Sequence, residues 1–385
     1  MNPSRPDPPP VLNGAAPSSE AELAAFVADS FGHARSLRIV GGRTRVETDA
    51  DAAEPQLSVT GLGGIVDYQP GELTLIARAG TPVAEIETLL ASQGQSLAFE
   101  PPESRGLLGS NGSPTVGGMV AVNASGPRRV LAGACRDHLL GVRFVDGRGR
   151  ILKSGGRVMK NVTGLDLGKL LCGSFGTLGV LTEVALKTLP SAACQETLTF
   201  PGISPAQALD IFARALATPF EISGAAFHDG TAWLRLEGRE RQLAYRRQRV
   251  SEMLRERQIV VVADSDSRAL WKRLRDVHHF ADSNVPLWRV VVKPSDAPAV
   301  VEALERLDGE TSIDWGGGLV WYCGPAAGAA VRAVLLGGHA TLVRRGARPV
   351  SEMFQPATPG VAALSASLRR TFDPASILNP GLVAG

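Results

Sequence analysis

Three glycine-rich loops in the N-terminal half of the chain hold the residues whose types and spacing could bind a ligand. They are residues 41–45, residues 112–118 with their continuation 123–126, and residues 173–180. Glycine lets a backbone adopt a positive φ and approach a ligand closely, and consecutive N–H groups can then point at phosphate oxygens. A single glycine loop is weak evidence, because turns use glycine routinely. The order and spacing of all three favour an elongated ligand with two phosphates, an adenine and a second ring system.

Other catalytic signatures are absent or incomplete. No G-x-G-x-x-G follows the first predicted strand, so a Rossmann dinucleotide site is unsupported. Residues 164–169 resemble a P-loop, but their glycines are one residue too close together and Leu170 replaces the required hydroxyl. Residues 172–176 resemble a nucleophile elbow but begin with cysteine. There is no H-E-x-x-H, and the histidines are dispersed apart from His278 and His279.

The composition is that of an ordinary globular chain without a strong charge. A length of 385 residues suggests two domains or lobes. The formal net charge of +2 argues against a nucleic-acid binder that relies on a basic field. The four cysteines form no C-x-x-C pair, which argues against a self-contained zinc or iron–sulfur site. Scattered cysteines fit a reducing compartment, so a cytoplasmic location is predicted.

Two segments of unusual composition need a separate interpretation. Residues 1–19 are rich in proline and alanine and have no apolar h-region, which predicts a disordered tail rather than a signal peptide. Residues 317–340 are apolar, but Arg332 interrupts them and glycines crowd both halves. A strand over residues 319–323 and a helix over residues 326–336 explain this segment better than a transmembrane helix.

Helix and strand signals alternate through the first half of the chain, which predicts an α+β fold. Ser18 or Ser19 can cap a helix over residues 21–31. A long Gly/Pro/Ser stretch covers residues 101–118. Further helices are predicted over residues 83–92 and 165–171, and strands over residues 36–40, 57–59, 64–68, 73–77, 142–145, 151–153 and 180–189.

The glycine clusters thin out beyond residue 191, and the composition changes there. Residues 20–191 are therefore expected to form one domain and residues 192–345 a separate, smaller α+β lobe. Within that lobe, residues 239–258 form a predicted helix with a charged face. Its apolar stripe comprises Leu243, Val250, Met253 and Leu254. A solvated charged face is favoured there over a partner-binding face.

Several sequence blocks together resemble a known family. The blocks are residues 115–121, 125–129, 133–137, 158–166, 173–180, 313–317, 337–342 and 373–381. They resemble the PCMH-type FAD-binding domain of the vanillyl-alcohol-oxidase superfamily and, more closely, the FAD-binding subunits of glycolate oxidase. The resemblance implies an FAD-binding domain of two α+β subdomains and a smaller α+β cap lobe. It also implies that a C-terminal segment, residues 346–385, returns to the FAD domain.

The resemblance implies a place along FAD for each loop. The first loop would hold the pyrophosphate, the second would line the flavin, and the third would contact the adenosine or flavin side, with one residue returning from the C-terminus. The implied residues are Gly41, Gly42, Arg43, Thr44, Arg45, Thr115, Val116, Gly117, Gly118, Asn123, Ser125, Gly126, Gly173, Thr177, Gly179, Val180 and Asn379. Related first loops usually carry a third glycine where Arg43 stands, and arginine tolerates a positive φ poorly. The two arginines of the loop could offset this by pairing with phosphate oxygens.

The FAD is expected to be non-covalent. Covalent attachment in the superfamily uses His or Cys near the first loop or the central block, and neither residue type occurs between His33 and Cys135. Cys135 itself is interpreted as an inert buried cysteine. Resembling dehydrogenases of 2-hydroxy acids often place a metal on paired histidines in the cap, but His339 lacks a partner at that spacing. No metal is therefore predicted.

Three further polar positions allow two interpretations each. His278 and His279 are interpreted as helix-surface or lobe-interface residues rather than catalysts. Arg273 and Arg275 fit a bidentate carboxylate site and a solvated helix face equally well. No catalytic residue is assigned from the sequence.

Three hypotheses about function follow. The first is an FAD-binding subunit of a heteromeric glycolate oxidase that converts glycolate to glyoxylate. The resemblance implies as its partners a larger FAD-binding subunit and an iron–sulfur subunit, through which any peripheral membrane association would be made. The second is a stand-alone flavin oxidoreductase acting on another 2-hydroxy acid or alcohol. The third is a non-catalytic structural subunit whose flavin pocket has decayed.

Overall fold

Two antiparallel sheets with separate hydrophobic cores organise the chain into two lobes. The computed structural model describes residues 14–47, 55–156, 166–349 and 352–383. Helices and strands alternate throughout these ranges, so the predicted α+β fold is confirmed.

The first part of the first lobe is a small helix-and-strand unit. Helix α1 (Glu20–Gly32) begins after Ser19, one of the two predicted caps, whose Oγ accepts the N–H of Glu22. Strands β1 (Arg38–Val40) and β2 (Gln56–Ser58) pair in parallel. Apolar side chains from the helix, both strands and the C-terminal segment close this small core.

The rest of the first lobe contains a five-stranded antiparallel sheet. Its strands are β3 (Ile65–Gln69), β4 (Thr74–Arg78), β6 (Leu139–Val145), β7 (Ile151–Gly155) and β8 (Val180–Lys187), while β5 (Gln95–Ser96) pairs separately with β9 (Leu189–Pro190). The order across the sheet is β3-β4-β8-β6-β7. The helices of this part are α2 (Val83–Ser92), α3 (Arg105–Leu108), α4 (Val116–Ala121), α5 (Arg129–Ala132) and α6 (Leu167–Leu171). Apolar residues of α2, α4 and α6 pack on the sheet to form its core.

The second lobe contains an eight-stranded antiparallel sheet. Its strands are β10 (Cys194–Pro201), β11 (Gly224–His228), β12 (Thr231–Gly238), β13 (Val260–Ala263), β14 (Leu287–Val291), β15 (Glu310–Asp314), β16 (Leu319–Cys323) and β17 (His339–Arg344). Their order is β13-β10-β12-β11-β15-β16-β14-β17. The helices are α7 (Pro205–Leu216), α8 (Glu240–Met253), α9 (Asp264–Arg275), α10 (Ala297–Glu305) and α11 (Gly328–Ala333), and α12 (Pro359–Phe372) follows in the C-terminal segment. Helices α7, α8 and α10 bury one face of the sheet.

Some predicted boundaries differ from the structure. Residues 1–13 of the predicted tail lie outside the described residues, but Ala15 is hydrogen-bonded in both directions to the β2 strand and is not tail. The Gly/Pro/Ser stretch over residues 101–118 contains α3 and the start of α4. The helix predicted over residues 326–336 is only the short α11. Residues 157–165, which include most of one resemblance block, lie outside the described residues.

Buried ion pairs join the two lobes. Arg235 of β12, only 2% exposed, donates to both carboxylate oxygens of Glu100 at 2.9 and 2.8 Å. Arg128 Nε donates to Glu237 at 2.8 Å, and the Arg128 N–H donates to Glu100 at 3.0 Å. Bidentate guanidinium–carboxylate contacts fix orientation as well as distance. These pairs therefore hold the second lobe in one position against the first.

No helix in the described part of the chain is long and apolar enough to cross a membrane.

Candidate cofactor site

The three glycine-rich loops meet around one elongated groove in the first lobe. Two adjoining hollows make up this groove, and they share the lining residues Ile39, Gly41, Gly118, Ala121, Phe175 and Asn379. One end is lined by the first loop as far as Val46. The other end is lined by Val59, residues 174–176 and Gly179. Concave sites formed by segments from distant parts of a sequence are the usual places for small-molecule binding.

Close backbone packing explains the glycines of the first two loops. A Cβ atom on Gly42 would lie 1.6 Å from the carbonyl oxygen of Ser113, and one on Gly112 would lie 1.7 Å from that of Gly42. A Cβ on Gly41 would lie 2.4 Å from Thr115 Oγ1. Such distances are impossible for real side chains, so only glycine lets these two loops form one continuous wall.

The two glycines of helix α4 both line the groove but differ in how tightly they are packed. Thr115 caps the helix by accepting the N–H of Gly118. Gly117 lines one hollow and is packed against the core, since a Cβ there would lie 2.7 Å from the Cβ of Ala79. Gly118 lines both hollows, and an added Cβ would meet only Thr115 Oγ1, at 3.2 Å. A side chain at position 118 would therefore occupy the groove itself.

Asn379 ties the C-terminal segment to the groove. Its Oδ1 accepts the N–H of Ile39 at 2.8 Å, and its Nδ2 donates to the carbonyl of Phe175 at 2.8 Å. Its own N–H donates to the carbonyl of Leu37, and its φ of 45° is left-handed. One side chain thus joins β1 to the third loop.

Replacing Asn379 by alanine should loosen the groove. The buried N–H of Ile39 and carbonyl of Phe175 would lose their partners, at a cost of about 1–3 kcal/mol in the free energy of unfolding. We expect a lower urea midpoint and faster loss of bound cofactor on dialysis. Asn284→Ala, at an exposed asparagine, is the control. Equal loss of cofactor from the two variants on dialysis would show that the Asn379 side chain does not stabilise the groove.

The two arginines of the first loop differ in their hydrogen-bond partners. Arg43 has a left-handed φ of 54°, which fits the glycine usually found at this position in related loops. Its side chain hydrogen-bonds to Gln56. Arg45 Nη1 donates to the carbonyl of Pro102 at 3.0 Å, while its buried Nε has no hydrogen-bond partner among the described residues. Burial lowers the pKa of Arg45 to about 10, so it stays charged at neutral pH. A buried cation beside the groove favours an anionic ligand.

The structure places the seventeen predicted cofactor residues in three groups. Those that line the groove are Gly41, Gly42, Arg43, Thr44, Arg45, Thr115, Gly117, Gly118, Gly179 and Asn379. Val116 and Val180 lie in the hydrophobic cores. The remaining five belong to the backbone framework of the second and third loops and line neither hollow: Asn123, Ser125, Gly126, Gly173 and Thr177. Contact with the cofactor remains a prediction for all seventeen.

Internal hydrogen bonds account for the polar residues of that framework. Asn123 Oδ1 accepts the N–H of Arg136, and Ser125 Oγ accepts the N–H of Cys135, both at 3.0 Å. Thr177 Oγ1 donates to the carbonyl of Ser174 at 2.7 Å. These residues shape the loops by satisfying buried backbone groups.

Cys135 is fully buried next to a second thiol. A hydrogen bond from its thiol to Cys172, together with burial, raises the pKa of Cys135 well above the ordinary thiol value. A protonated, buried thiol is a poor nucleophile, which fits the interpretation of Cys135 as inert.

The polar positions that allowed two interpretations have definite surroundings. Arg275 is not solvated: its Nε and Nη2 donate to both oxygens of Asp276 at 2.8 and 3.0 Å. His279 stacks on His228 with ring centroids 4.1 Å apart, and burial lowers its pKa to about 3. No group of three metal-binding side chains occurs in the ranges that the structure describes.

Sequence reasoning missed Asp314, a buried carboxyl at the lobe junction. Its Oδ1 accepts the N–H of Trp315 at 2.7 Å. Burial raises its pKa to about 7, although that hydrogen bond and Arg235 oppose the shift. Nothing in its sequence context signals this, because burial depends on the packing of the two lobes.

The raised pKa of Asp314 predicts a pH-dependent stability. An unfolded aspartate titrates near about 3.9, so between roughly pH 4 and 7 the folded chain holds a proton that the unfolded chain has released. The free energy of unfolding should therefore fall as pH rises through that window. Asp314→Asn should remove this slope and stabilise the protein at pH 8 by on the order of a few kcal/mol. Urea unfolding from pH 5 to 8 measures it, with Asp210→Asn as an exposed control; an unchanged slope in Asp314→Asn would contradict the assignment.

Comparison with known proteins identifies the family of this chain. A model described as an FAD binding domain matches residues 14–155. Glycolate oxidase subunit GlcE of Escherichia coli (strain K12) is 37% identical over 321 residues, which cover 83% of this chain and 84% of that protein. The chain belongs to the GlcE family of glycolate oxidase subunits. FAD is therefore its cofactor, and its class is that of FAD-dependent oxidoreductases.

Other relatives match shorter parts of the GlcE-family chain. D-2-hydroxyglutarate dehydrogenase of Xanthomonas citri pv. viticola is 31% identical over 45% of this chain and 36% of its own length. Glycolate oxidase subunit GlcD of Bacillus subtilis is 32% identical over 35% of this chain and 27% of its own length.

Solved structures confirm the fold. P-cresol methylhydroxylase, solved with substrate bound, superposes with a TM-score of 0.72 at 14% identity and covers 96% of this chain and 88% of its own. Alkyldihydroxyacetonephosphate synthase gives 0.68 at 16% identity, over 95% and 76% respectively. The predicted PCMH-type fold is thus confirmed.

The residues of the groove fit FAD. Glycine backbones form its wall at points where any Cβ would clash, and an unpartnered buried Arg45 Nε lies beside it. Arg43 and Arg45 are among the cations that line the groove and could pair with a pyrophosphate, while Gly118 leaves the centre of the groove open.

Proposed function

We propose that this chain is the FAD-binding subunit of a heteromeric glycolate oxidase that converts glycolate to glyoxylate and passes electrons to an iron–sulfur subunit. The observation that carries the proposal is the identity to the Escherichia coli GlcE subunit over most of both chains. The groove supports it, because its length, its glycine-lined wall and the buried Arg45 Nε beside it fit an elongated anionic cofactor. A second, larger FAD-binding subunit is the other expected partner.

We infer that the FAD is held without a covalent bond. The nearest candidate nucleophile of the central block, Cys135, is a buried thiol with a raised pKa. FAD, when bound, supplies two-electron redox chemistry. The chain's own residues would hold the pyrophosphate with loop amides and arginines and would shield the bound FAD from water.

Two alternatives remain as outcomes of the test. A stand-alone 2-hydroxy acid or alcohol oxidoreductase is favoured by the second lobe, which is joined to the first by ion pairs. A structural subunit with a decayed pocket is favoured by Arg43, which holds a left-handed φ usually given to glycine.

Co-expression with and without the two presumed partner subunits separates these functions. Flavin content and glycolate-dependent dye reduction are measured for the complex, for the complex lacking this chain, and for the chain alone. The proposal predicts activity only when this chain is present with its partners, and rescue by wild type but not by a variant that cannot bind FAD. Flavin reduction by the isolated chain would favour the stand-alone enzyme, and full rescue by a flavin-free variant would favour the structural subunit.

A further inference from the structure

Two arginines from different lobes meet over one tryptophan at the lobe junction. Arg129 begins α5 in the first lobe, and Arg289 lies in β14 of the second lobe. Their guanidinium carbons lie 4.4 and 5.0 Å from the ring centroid of Trp315. Cation–π contacts hold the two side chains in place but do not neutralise their charge.

Neither arginine has an acidic partner in the part of the chain that the structure describes. No carboxylate there lies within ion-pair distance of Arg129 or Arg289, whereas Arg128, next in sequence, is paired with Glu237. Asp137 acts on Arg129 only from a distance, and its carboxylate accepts the N–H of Ala134. Burial lowers the pKa of Arg129. Burial and the nearby charge of Arg129 lower the pKa of Arg289 to about 10. Both groups therefore stay charged at neutral pH.

Trp315 is held in a strained conformation beneath these cations. Its φ of 54° is left-handed, which is uncommon for a bulky residue. Asp314 accepts its N–H at 2.7 Å, and its indole Nε1 donates to the carbonyl of Gly126 at 2.9 Å. Backbone strain of this kind persists where the surroundings enforce it, and it concentrates at binding sites.

Trp315 connects the pair to the second glycine-rich loop. Its indole donates to the carbonyl of Gly126, and Val122, four residues earlier in the same segment, lines the groove. His339 begins β17 on the same side of the sheet, and burial together with Arg289 and Arg129 lowers its pKa. Neutral imidazole adds a hydrogen-bonding group to the two fixed positive charges. A pair of partly buried cations without a counter-charge becomes more favourable when an anion joins it.

We propose that Arg129 and Arg289, over Trp315, bind the carboxylate of a small acid substrate across the lobe boundary. The proposal rests on the proposed function and adds to it the residues that would bind the carboxylate of the substrate. Two guanidiniums provide charge-assisted hydrogen bonds to both carboxylate oxygens. A neutral alcohol of the same size leaves these cations unpaired and is rejected.

Calorimetric titration of the purified, FAD-loaded chain with oxalate, an unreactive two-carbon carboxylate, tests the site. We expect Arg129→Gln and Arg289→Gln each to weaken oxalate binding roughly 10- to 100-fold, with flavin content unchanged. Arg332→Gln is the matched control, since Arg332 also lies over a tryptophan, Trp288 at 5.3 Å, away from the junction. Wild-type oxalate affinity in both junction variants, or no oxalate binding by wild type, overturns the proposal.

A second measurement separates this site from the proposed function. In the complete complex, Arg289→Gln should raise the KM for glycolate by a similar factor with a smaller effect on kcat. If the junction variants lose oxalate affinity but the wild-type complex does not oxidise glycolate, the carboxylate site stands and the proposed function fails. If the complex oxidises glycolate with an unchanged KM in Arg289→Gln, the function stands and the site is wrong.

Discussion

Purified Gly118→Leu should be folded and free of flavin. Gly118 lies in the part of the groove shared by both hollows, so a leucine there fills the space that the ring system and its phosphates need. The added Cβ meets only Thr115 Oγ1, at 3.2 Å, so the protein itself has little to displace. We expect flavin absorbance to fall below about a tenth of wild type, because the steric clash with several added carbons costs more free energy than the nearby cofactor contacts supply. Visible absorbance and far-UV circular dichroism measure cofactor and fold separately.

Gly360→Leu provides the matched control for this variant. It introduces the same side chain into a helix, α12, at a glycine that has no atom within 4 Å of an added Cβ. We expect wild-type flavin content there. Gly117 is a poorer test position, because a side chain there would strike Ala79 and disturb the core. Wild-type flavin content in Gly118→Leu would mean that the cofactor binds elsewhere.

Arg235→Met should separate the lobes at a lower urea concentration than wild type. Arg235 is 2% exposed and is the main counter-charge of Glu100. Methionine fills much of the space but leaves the carboxylate unpaired, and breaking a buried pair in this way costs about 3–5 kcal/mol. Equilibrium unfolding followed by tryptophan fluorescence measures the loss.

An exposed ion pair sets the baseline for that measurement. Arg249 and Glu252 on α8 form such a pair, with each side chain about half exposed. Arg249→Met should shift the free energy of unfolding by less than about 1 kcal/mol. Similar midpoints for the two variants would show that the Arg235–Glu100 pair does not hold the lobes together.

Local patterns predicted several elements closely. Helix α2 spans Val83–Ser92 and β16 spans Leu319–Cys323, the residues that apolar spacing and β-branched content indicate. The apolar stripe of α8 is buried at Leu243 and Val250, as expected. Such signals depend on neighbouring residues alone, which is why they can be read from one sequence.

Features that depend on tertiary packing could not be predicted from local sequence patterns. Helix α4 forms in a stretch of glycine and proline that favours loop, because its apolar residues are buried in the core. The order of the eight-stranded sheet depends on contacts between strands far apart in the chain. Arg129 and Arg289 are ordinary in sequence. Only the packing of the lobes shows that, among the described residues, they lack acidic partners.

The loops of the candidate site were found for a physical reason. Glycine clusters indicate backbone segments that approach another segment or a ligand closely. Here the loops approach one another and line the groove. What glycine spacing does not reveal is which residues face the groove. Val116 and Val180 illustrate this, since both belong to matching blocks and both point into the cores.

The flavin content of the isolated wild-type chain tests the central claim most directly. The protein is purified without partners, supplied with FAD, desalted and then denatured with acid, and the flavin is measured in the supernatant and in the precipitate. The groove geometry predicts an amount of FAD equimolar with the chain, all of it released into the supernatant. A colourless chain that retains no added FAD, or flavin that stays with the precipitated protein, would contradict the account.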